Sequence, residues 1–200
     1  NVFMDKLYMI LLCLMIVPIL ICIKYSRKIK SDVASSIVKC LIFAIVTILS
    51  NGLSAFSGNE TFSYIMEALY RFSFDLMLIY VLQYSQQYTR VFHEVSPFKK
   101  GCFIIAYLDG ILLFLNIIFH NVFTIEPVRF PNFDMYHVAD KSIIFYFHYV
   151  FAYGLVVCII ASFIIKIIQI PDFYRKKYLP ILVLICVITV SKFICVISEL

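Results

Sequence analysis

Six long apolar runs, each bounded by charged or turn residues, leave this chain few folds to choose from. They cover 7–23, 37–56, 62–85, 102–119, 142–168 and 178–197, and each approaches or exceeds the ~20 residues with which a helix crosses a hydrocarbon core. None carries the water-facing stripe that an amphipathic helix of a soluble domain needs. At 63% apolar and 14% charged, against roughly 45–50% and 25% in soluble globular chains, the lipid bilayer is the expected solvent and partner. Strand alternation of the outer-membrane barrel kind is absent. The expected fold class is therefore all-α, a polytopic transmembrane helix bundle with six spans in a single domain over 1–200. That leaves no sizeable soluble domain. It excludes a cytosolic enzyme, a disulfide-stapled secreted module, and a nucleic-acid partner read from the net charge of +5.

The basic residues orient the bundle. Lys24, Arg27, Lys28, Lys30 and Lys39 flank the first connection, Arg90, Lys99 and Lys100 the third, and Lys166, Arg175, Lys176 and Lys177 the fifth. The amino-terminal stub and the even connections hold Lys6, Arg129 and Lys141 against Asp5, Glu60, Glu126, Asp134 and Asp140. By the positive-inside rule the first set is cytoplasmic and the amino terminus is outside. Six crossings then leave Leu200 outside. The start at Asn1 and the apolar end lead us to expect a piece of a longer protein, with a seventh span returning to the cytoplasm. The first run has its positive charge after it and no small-residue cleavage site, so it reads as a retained span, kinked at Pro18, rather than a signal peptide. The seven cysteines, Cys13, Cys22, Cys40, Cys102, Cys158, Cys186 and Cys195, fall in or at the ends of spans without C-x-x-C spacing. They read as small packing residues.

In a bilayer the informative residues are the costly ones, because a charge at mid-membrane costs roughly 2.5–3.5 kcal/mol. The third span carries Glu67, Arg71 and Asp75, which at i, i+4 and i+8 lie on one face with the cation between two carboxylates. Their net negative charge asks for another cation, and Lys192 on the sixth span offers one. At a helical rise of 1.5 Å per residue, Arg71 and Lys192 both lie about 20 Å from the cytoplasmic ends of their helices. The same count places Asn51, Asn116 and His148 near that level, and Asp75 with Asp109 nearer the inner side. A polar layer shared by five helices suits an outward-facing cavity for a ligand or a switch. The competing reading is an ion-pair cluster that fixes helix register.

Other features carry less. His93, His120, His137 and His148 lie in four different places, so no zinc site is expected from them, and no metal or cofactor is expected at all. His148 with Tyr149 and Tyr153 reads first as an aromatic-belt or packing group. The outer loop from His120 to Lys141, with Pro127 and Pro131, reads as a surface connector in preference to a lid. Asn59-Glu60-Thr61 is a formal glycosylation sequon, meaningful only in a eukaryotic secretory pathway. The fifth span, about 40 Å long, has to tilt or project before Pro171, and Tyr174 to Tyr178 then forms an aromatic and basic anchor. No phosphate loop, nucleophile elbow or H-E-x-x-H motif is present, so no catalytic residue is expected.

The stretch FYFHYVFAYGLVVCIIASFIIKIIQIPDFYRKKYLPI, from Phe145 to Ile181, resembles the later helices of the seven-helix amino-terminal sensory region of bacterial histidine kinases and GGDEF diguanylate cyclases. It has an aromatic His148 to Tyr153 start, a long apolar helix, the Pro171 break and a Tyr174-Arg175 opening of the next span. LMLIYVLQYSQQYTR, with Tyr84 and Thr89, resembles the aromatic exit of that family's earlier helix. The resemblance covers nearly the whole chain and lacks the last helix, while the Glu67, Arg71 and Asp75 stripe matches no motif of the family. It implies a sensory input module in a bacterial inner (plasma) membrane. Such a module couples a small ligand or membrane signal to the chain's own downstream kinase or cyclase domain, with a homodimer formed through that domain. A small-solute transporter or permease component, an intramembrane lipid-processing enzyme and a structural subunit are the alternatives. The first would show repeats and Gly/Pro-broken helices, and the second a His or carboxylate cluster at one interface.

Overall fold

The computed structural model describes residues 2–56, 58–91, 96–130 and 133–198, with the side chains of 2–9, 13, 55, 56, 96, 128–130, 133–135 and 191–198 left out. His93, Pro131 and Glu199, and the side chains of Cys13, Arg129, Asp134, Lys192 and Cys195, therefore lie outside the described residues. The described residues include six helices: α1 (Val2–Ser26), α2 (Asp32–Phe56), α3 (Glu60–Thr89), α4 (Ser96–Phe119), α5 (Ile143–Gln169) and α6 (Asp172–Ser198). Each expected run is present as a helix. Most extend further than the apolar pattern because polar end turns continue them. Asp32 opens α2, Asn59 caps α3 by accepting the Phe62 amide at 3.0 Å, and Pro97 stands in the first turn of α4, where its missing N–H breaks no helical bond. Arg90, at φ 54, ends α3 in the left-handed region with its amide on the Gln86 carbonyl. α1 runs through Pro18 as one helix.

Three of the helices, over Asp32–Ser54, Pro97–Phe119 and Ile143–Gln169, are long and apolar enough to cross a membrane. The surface agrees with lipid contact. Leu14, Val17, Ile104, Leu108, Ile118, Val150, Val157, Ile168, Leu184 and Val187 are all more than half exposed, far more contiguous apolar surface than a water-soluble monomer shows. The interior is the reverse, with Ser36, Thr47, Ser50, Ser54, Ser63, Ser73, Ser85 and Ser162 all buried. Between α2 and α3 these small hydroxyls hold the helices close. Thr47 and Ser73 share a hydrogen bond of 2.9 Å, Ser63 donates to the Ser54 carbonyl at 2.9 Å, and Ser36 donates to Gln87 at 2.9 Å. Small residues with interhelical hydrogen bonds are how helices associate where apolar burial gives no advantage over lipid.

The outer loop departs from expectation. Instead of a surface connector it is an antiparallel hairpin, β1 (Phe123–Phe130) and β2 (Phe133–Lys141), in a register that runs Ile125↔Val138, Glu126↔His137 to Phe130↔Phe133. Phe123 and Ile125 are buried while Glu126 is exposed, the period-two pattern of a half-buried strand. β1 packs on α3, and β2 on α2 and α5. The hairpin thus covers one end of the bundle.

α3 is the axis, packed against α2, α4 and α5, while α1 leans on α2 and α6 chiefly on α5. Two apolar clusters surround it. At the hairpin end are Tyr64, Ala68, Leu113, Val122, Phe123, Ile125 and Phe145. Toward the other end lie Leu76, Ile79, Leu82, Cys102, Ala106, Leu155, Ile159 and Phe163. The α3–α4 approach depends on Gly110, where a Cβ would fall 2.5 Å from the Phe72 ring, which is itself held by Tyr107 and Phe114. Gly110→Ala is expected to cost about 1–3 kcal/mol by overpacking and to lower the melting midpoint in nanodiscs. Gly154→Ala, which meets nothing within 4 Å, should leave the midpoint unchanged or raise it. Equal midpoints for the two variants would contradict this packing.

Candidate functional site

Between α2, α3, α5, α6 and the underside of β2 lies a cavity of about 900 Å³, within the range of small-molecule sites. Its walls are graded. Near the hairpin they carry Asn51, Ser54, Glu67, Arg71, His137 and Lys141; further along α3 and α5 come Phe74, Met77, Val81, Ala152, Val156 and Ile159, with Ile185, Ile188 and Thr189 from α6. Polar groups at one end and apolar ones at the other make a cavity complementary to an amphipathic molecule.

The polar end is built around Arg71. Its Nη2 donates to Glu67 Oε1 one helical turn away, and both side chains are nearly enclosed. Glu67 Oε2 also accepts from the Ser54 hydroxyl at 3.4 Å. The guanidinium lies 4.2 Å from the centre of the Phe145 ring and 5.8 Å from those of Tyr70, Phe123 and Tyr149. A guanidinium amid four ring faces and one carboxylate is stabilised by ion pairing and cation–π attraction together, both stronger where water is excluded. Its Nε has no hydrogen-bond partner among the described residues, so one donor remains unused.

One turn deeper, Asp75 takes no part in that pair. The expected arrangement, Arg71 held between two carboxylates, is replaced by two separate groupings on α3. Asp75 Oδ2 lies 3.2 Å from Nδ1 of His148 on α5, and Asp109 Oδ2 on α4 lies 2.8 Å from the same nitrogen. All three residues are buried, Asp75 completely. A single N–H points at one acceptor; Asp109 receives it, and both Asp75 oxygens accept no hydrogen bond.

Asp75 and Asp109 thus lie together as the sequence suggests, but His148 joins them instead of the shallower polar layer or an aromatic belt. Counting depth from the helix ends separated them because α3, α4 and α5 end at different heights. Asn51 is exposed on the cavity wall. Asn116 does not line the cavity: it is fully buried and fastens the hairpin, donating to the Phe123 carbonyl at 2.8 Å and accepting the Val122 and Phe123 amides at 2.7 and 3.3 Å. Lys192 belongs to α6, with its side chain outside the described residues. Sequence reasoning missed Ser54 and the β2 residues. The alternation Phe123, Ile125 against Thr124, Glu126, followed by Pro131-Asn132, was the available signal for the hairpin.

No known protein family, characterised protein or solved structure matches this chain.

Two stability outcomes follow from these contacts. Arg71→Ala leaves Glu67 buried and uncompensated, at a cost of about 3–5 kcal/mol; adding Glu67→Ala should recover part of that loss, a positive coupling measurable by denaturant unfolding in micelles. Asn116→Leu strands the two amides and one carbonyl beneath the hairpin, at about 1–3 kcal/mol for each buried orphan. It should speed amide exchange over 123–130 by at least about tenfold, since 1.4 kcal/mol corresponds to that factor, whereas Asn51→Leu should leave that exchange unchanged.

Proposed function

We propose that the chain is the signal-input module of a bacterial plasma-membrane protein, with six spans and the amino terminus outside. An amphipathic small molecule occupies the cavity beneath the hairpin, and its binding selects one of two helix packings that a cytoplasmic output domain reads. The graded cavity, with the caged Glu67–Arg71 pair at one end and an apolar wall at the other, carries this reading. A ligand that contacts α3, α5, α6 and the hairpin at once has the differential contacts that a population shift requires.

The distribution of charge supports the orientation. At the end opposite the hairpin, the α1–α2 connection, the end of α3 at Arg90 and the start of α4 hold or adjoin the basic clusters, as does the α5–α6 junction near Pro171. At that junction Arg175 donates to the Ile167 carbonyl at 3.0 Å and pairs with Asp172 at 2.6 Å, satisfying a carbonyl at the end of α5. The resemblance of 145–181 to the sensory region of histidine kinases and GGDEF cyclases favours a kinase or a diguanylate cyclase as the output.

Two measurements test the proposal. Alkaline phosphatase fused after Gly58 or inserted between Pro131 and Asn132 should be active outside the cell, and a fluorescent protein fused after Lys30 should be bright inside; the reverse pattern would overturn the orientation. Because the chain contains no tryptophan, Phe74→Trp puts a single reporter on the cavity wall. In nanodiscs its emission should change saturably with alkyl amphiphiles of one head-group charge, and the response should vanish when Ala152→Phe fills the space. If no head group gives a saturable change, the cavity is a packing void.

A further inference from the structure

Asp75, Asp109 and His148 bring a second chemistry to the same bundle. Each presents one ligand-type atom, from three different helices, and the three atoms all lie within 4.8 Å of one another. Two of the separations, 2.8 and 3.2 Å from His148 Nδ1, approach the ~3.3 Å edge of a tetrahedron with arms of about 2.0 Å, the zinc–nitrogen and zinc–oxygen distance. The third separation, between the two carboxylates, is within 4.8 Å. Asp75 is fully enclosed, and apart from the 3.2 Å approach of its Oδ2 to His148 Nδ1 neither oxygen has a hydrogen-bond partner among the described residues, so a buried carboxylate faces the cluster with acceptor capacity to spare. Such a group is costly unless something positive meets it.

Charge points the same way. Glu67 and Arg71 neutralise each other, so among the described residues Asp75 and Asp109 are left facing one imidazole. With both carboxylates ionised, a neutral His148 leaves the enclosed set two charges negative and an imidazolium leaves it one negative; a divalent cation with neutral imidazole brings it to zero, as does an imidazolium with one proton held on a carboxyl. His148 also forms part of the cavity wall, which Asp75 and Asp109 do not line, so the cluster meets the cavity through its imidazole.

We propose that Asp75, Asp109 and His148 are the three protein ligands of a divalent transition-metal ion of the zinc type, held between α3, α4 and α5 where His148 borders the cavity. An imidazole with two carboxylates suits zinc or cobalt better than magnesium, which prefers an all-oxygen shell and keeps its waters. Three ligands with one open position is the arrangement of metal sites that take an exogenous ligand rather than of closed structural ones. Metal occupancy can be read without any amphiphile or output, so this assignment stands or falls apart from the signalling role.

The test uses the full chain, purified through a tag without histidine, stripped with a chelator and placed in nanodiscs. Zinc titration with elemental analysis should give one tightly held ion per chain, and cobalt should give the visible bands of a four- or five-coordinate oxygen and nitrogen site. Asp75→Asn, Asp109→Asn and His148→Gln should each weaken zinc binding by about tenfold or more, the scale that even outer-shell changes reach at metal sites, while His120→Gln, at an exposed histidine, should not. Zinc should raise the melting midpoint of the unaltered chain and magnesium should not. The proposal is overturned if the unaltered chain retains no zinc, if cobalt shows only thiolate charge-transfer bands from the cysteines, or if zinc and magnesium shift the midpoint equally. Those results need no variant to fold.

Discussion

A charged side chain that faces lipid has nothing to solvate it, and the geometry of α3 follows from that single constraint. Glu67, Arg71 and Asp75 recur on one face of the helix at every fourth residue, so that face has to be covered along three turns. α2, α4 and α5 supply the cover, and the helices at the periphery are those without ionisable groups in their described central turns. In water an amphipathic helix turns its charges outward and its leucines inward. Here the arrangement is inverted, with Leu108, Val157 and Leu184 outward and carboxylates inward.

The inversion is affordable only where each buried charge finds a partner, and the two halves of α3 solve this differently. Arg71 is met by a carboxylate on its own helix and by rings contributed from β1 and α5, so the hairpin belongs to the electrostatics of the core as well as to its lid. Asp75 and Asp109 both face the imidazole of His148, which ties α3 and α4 to α5. Small hydroxyls do comparable work between α2 and α3.

How much of this was legible in the sequence depended on the range of the interaction. The six helices followed from runs of apolar residues, which are local, and the Glu67–Arg71 pair from i, i+4 spacing, which is equally local. The meeting of Asp75, Asp109 and His148 needed the relative heights of three helices to within a turn. A fixed rise per residue cannot supply those heights, because the helices do not end at one level: α5 runs 21 residues from His148 to Gln169, whereas α3 runs 14 from Asp75 to Thr89. Asn116 was recognised as costly but misplaced in role: an amide in a span looks the same whether it faces a ligand or fastens a neighbouring backbone. The hairpin was hidden by composition, since its prolines and aromatics resemble those of an interfacial loop until their alternation is counted.

α6 contributes Ile185, Ile188 and Thr189 to the cavity yet packs chiefly on α5, outside the charged core. That separation divides the bundle into a part tied by buried charge and a part that meets the cavity through apolar side chains. Substitutions along α6 can widen, narrow or reshape the apolar end of the cavity without disturbing the ion pair or the Asp–Asp–His cluster. The shape of the apolar end is therefore open to change from one helix, while the costly buried charges stay on α3.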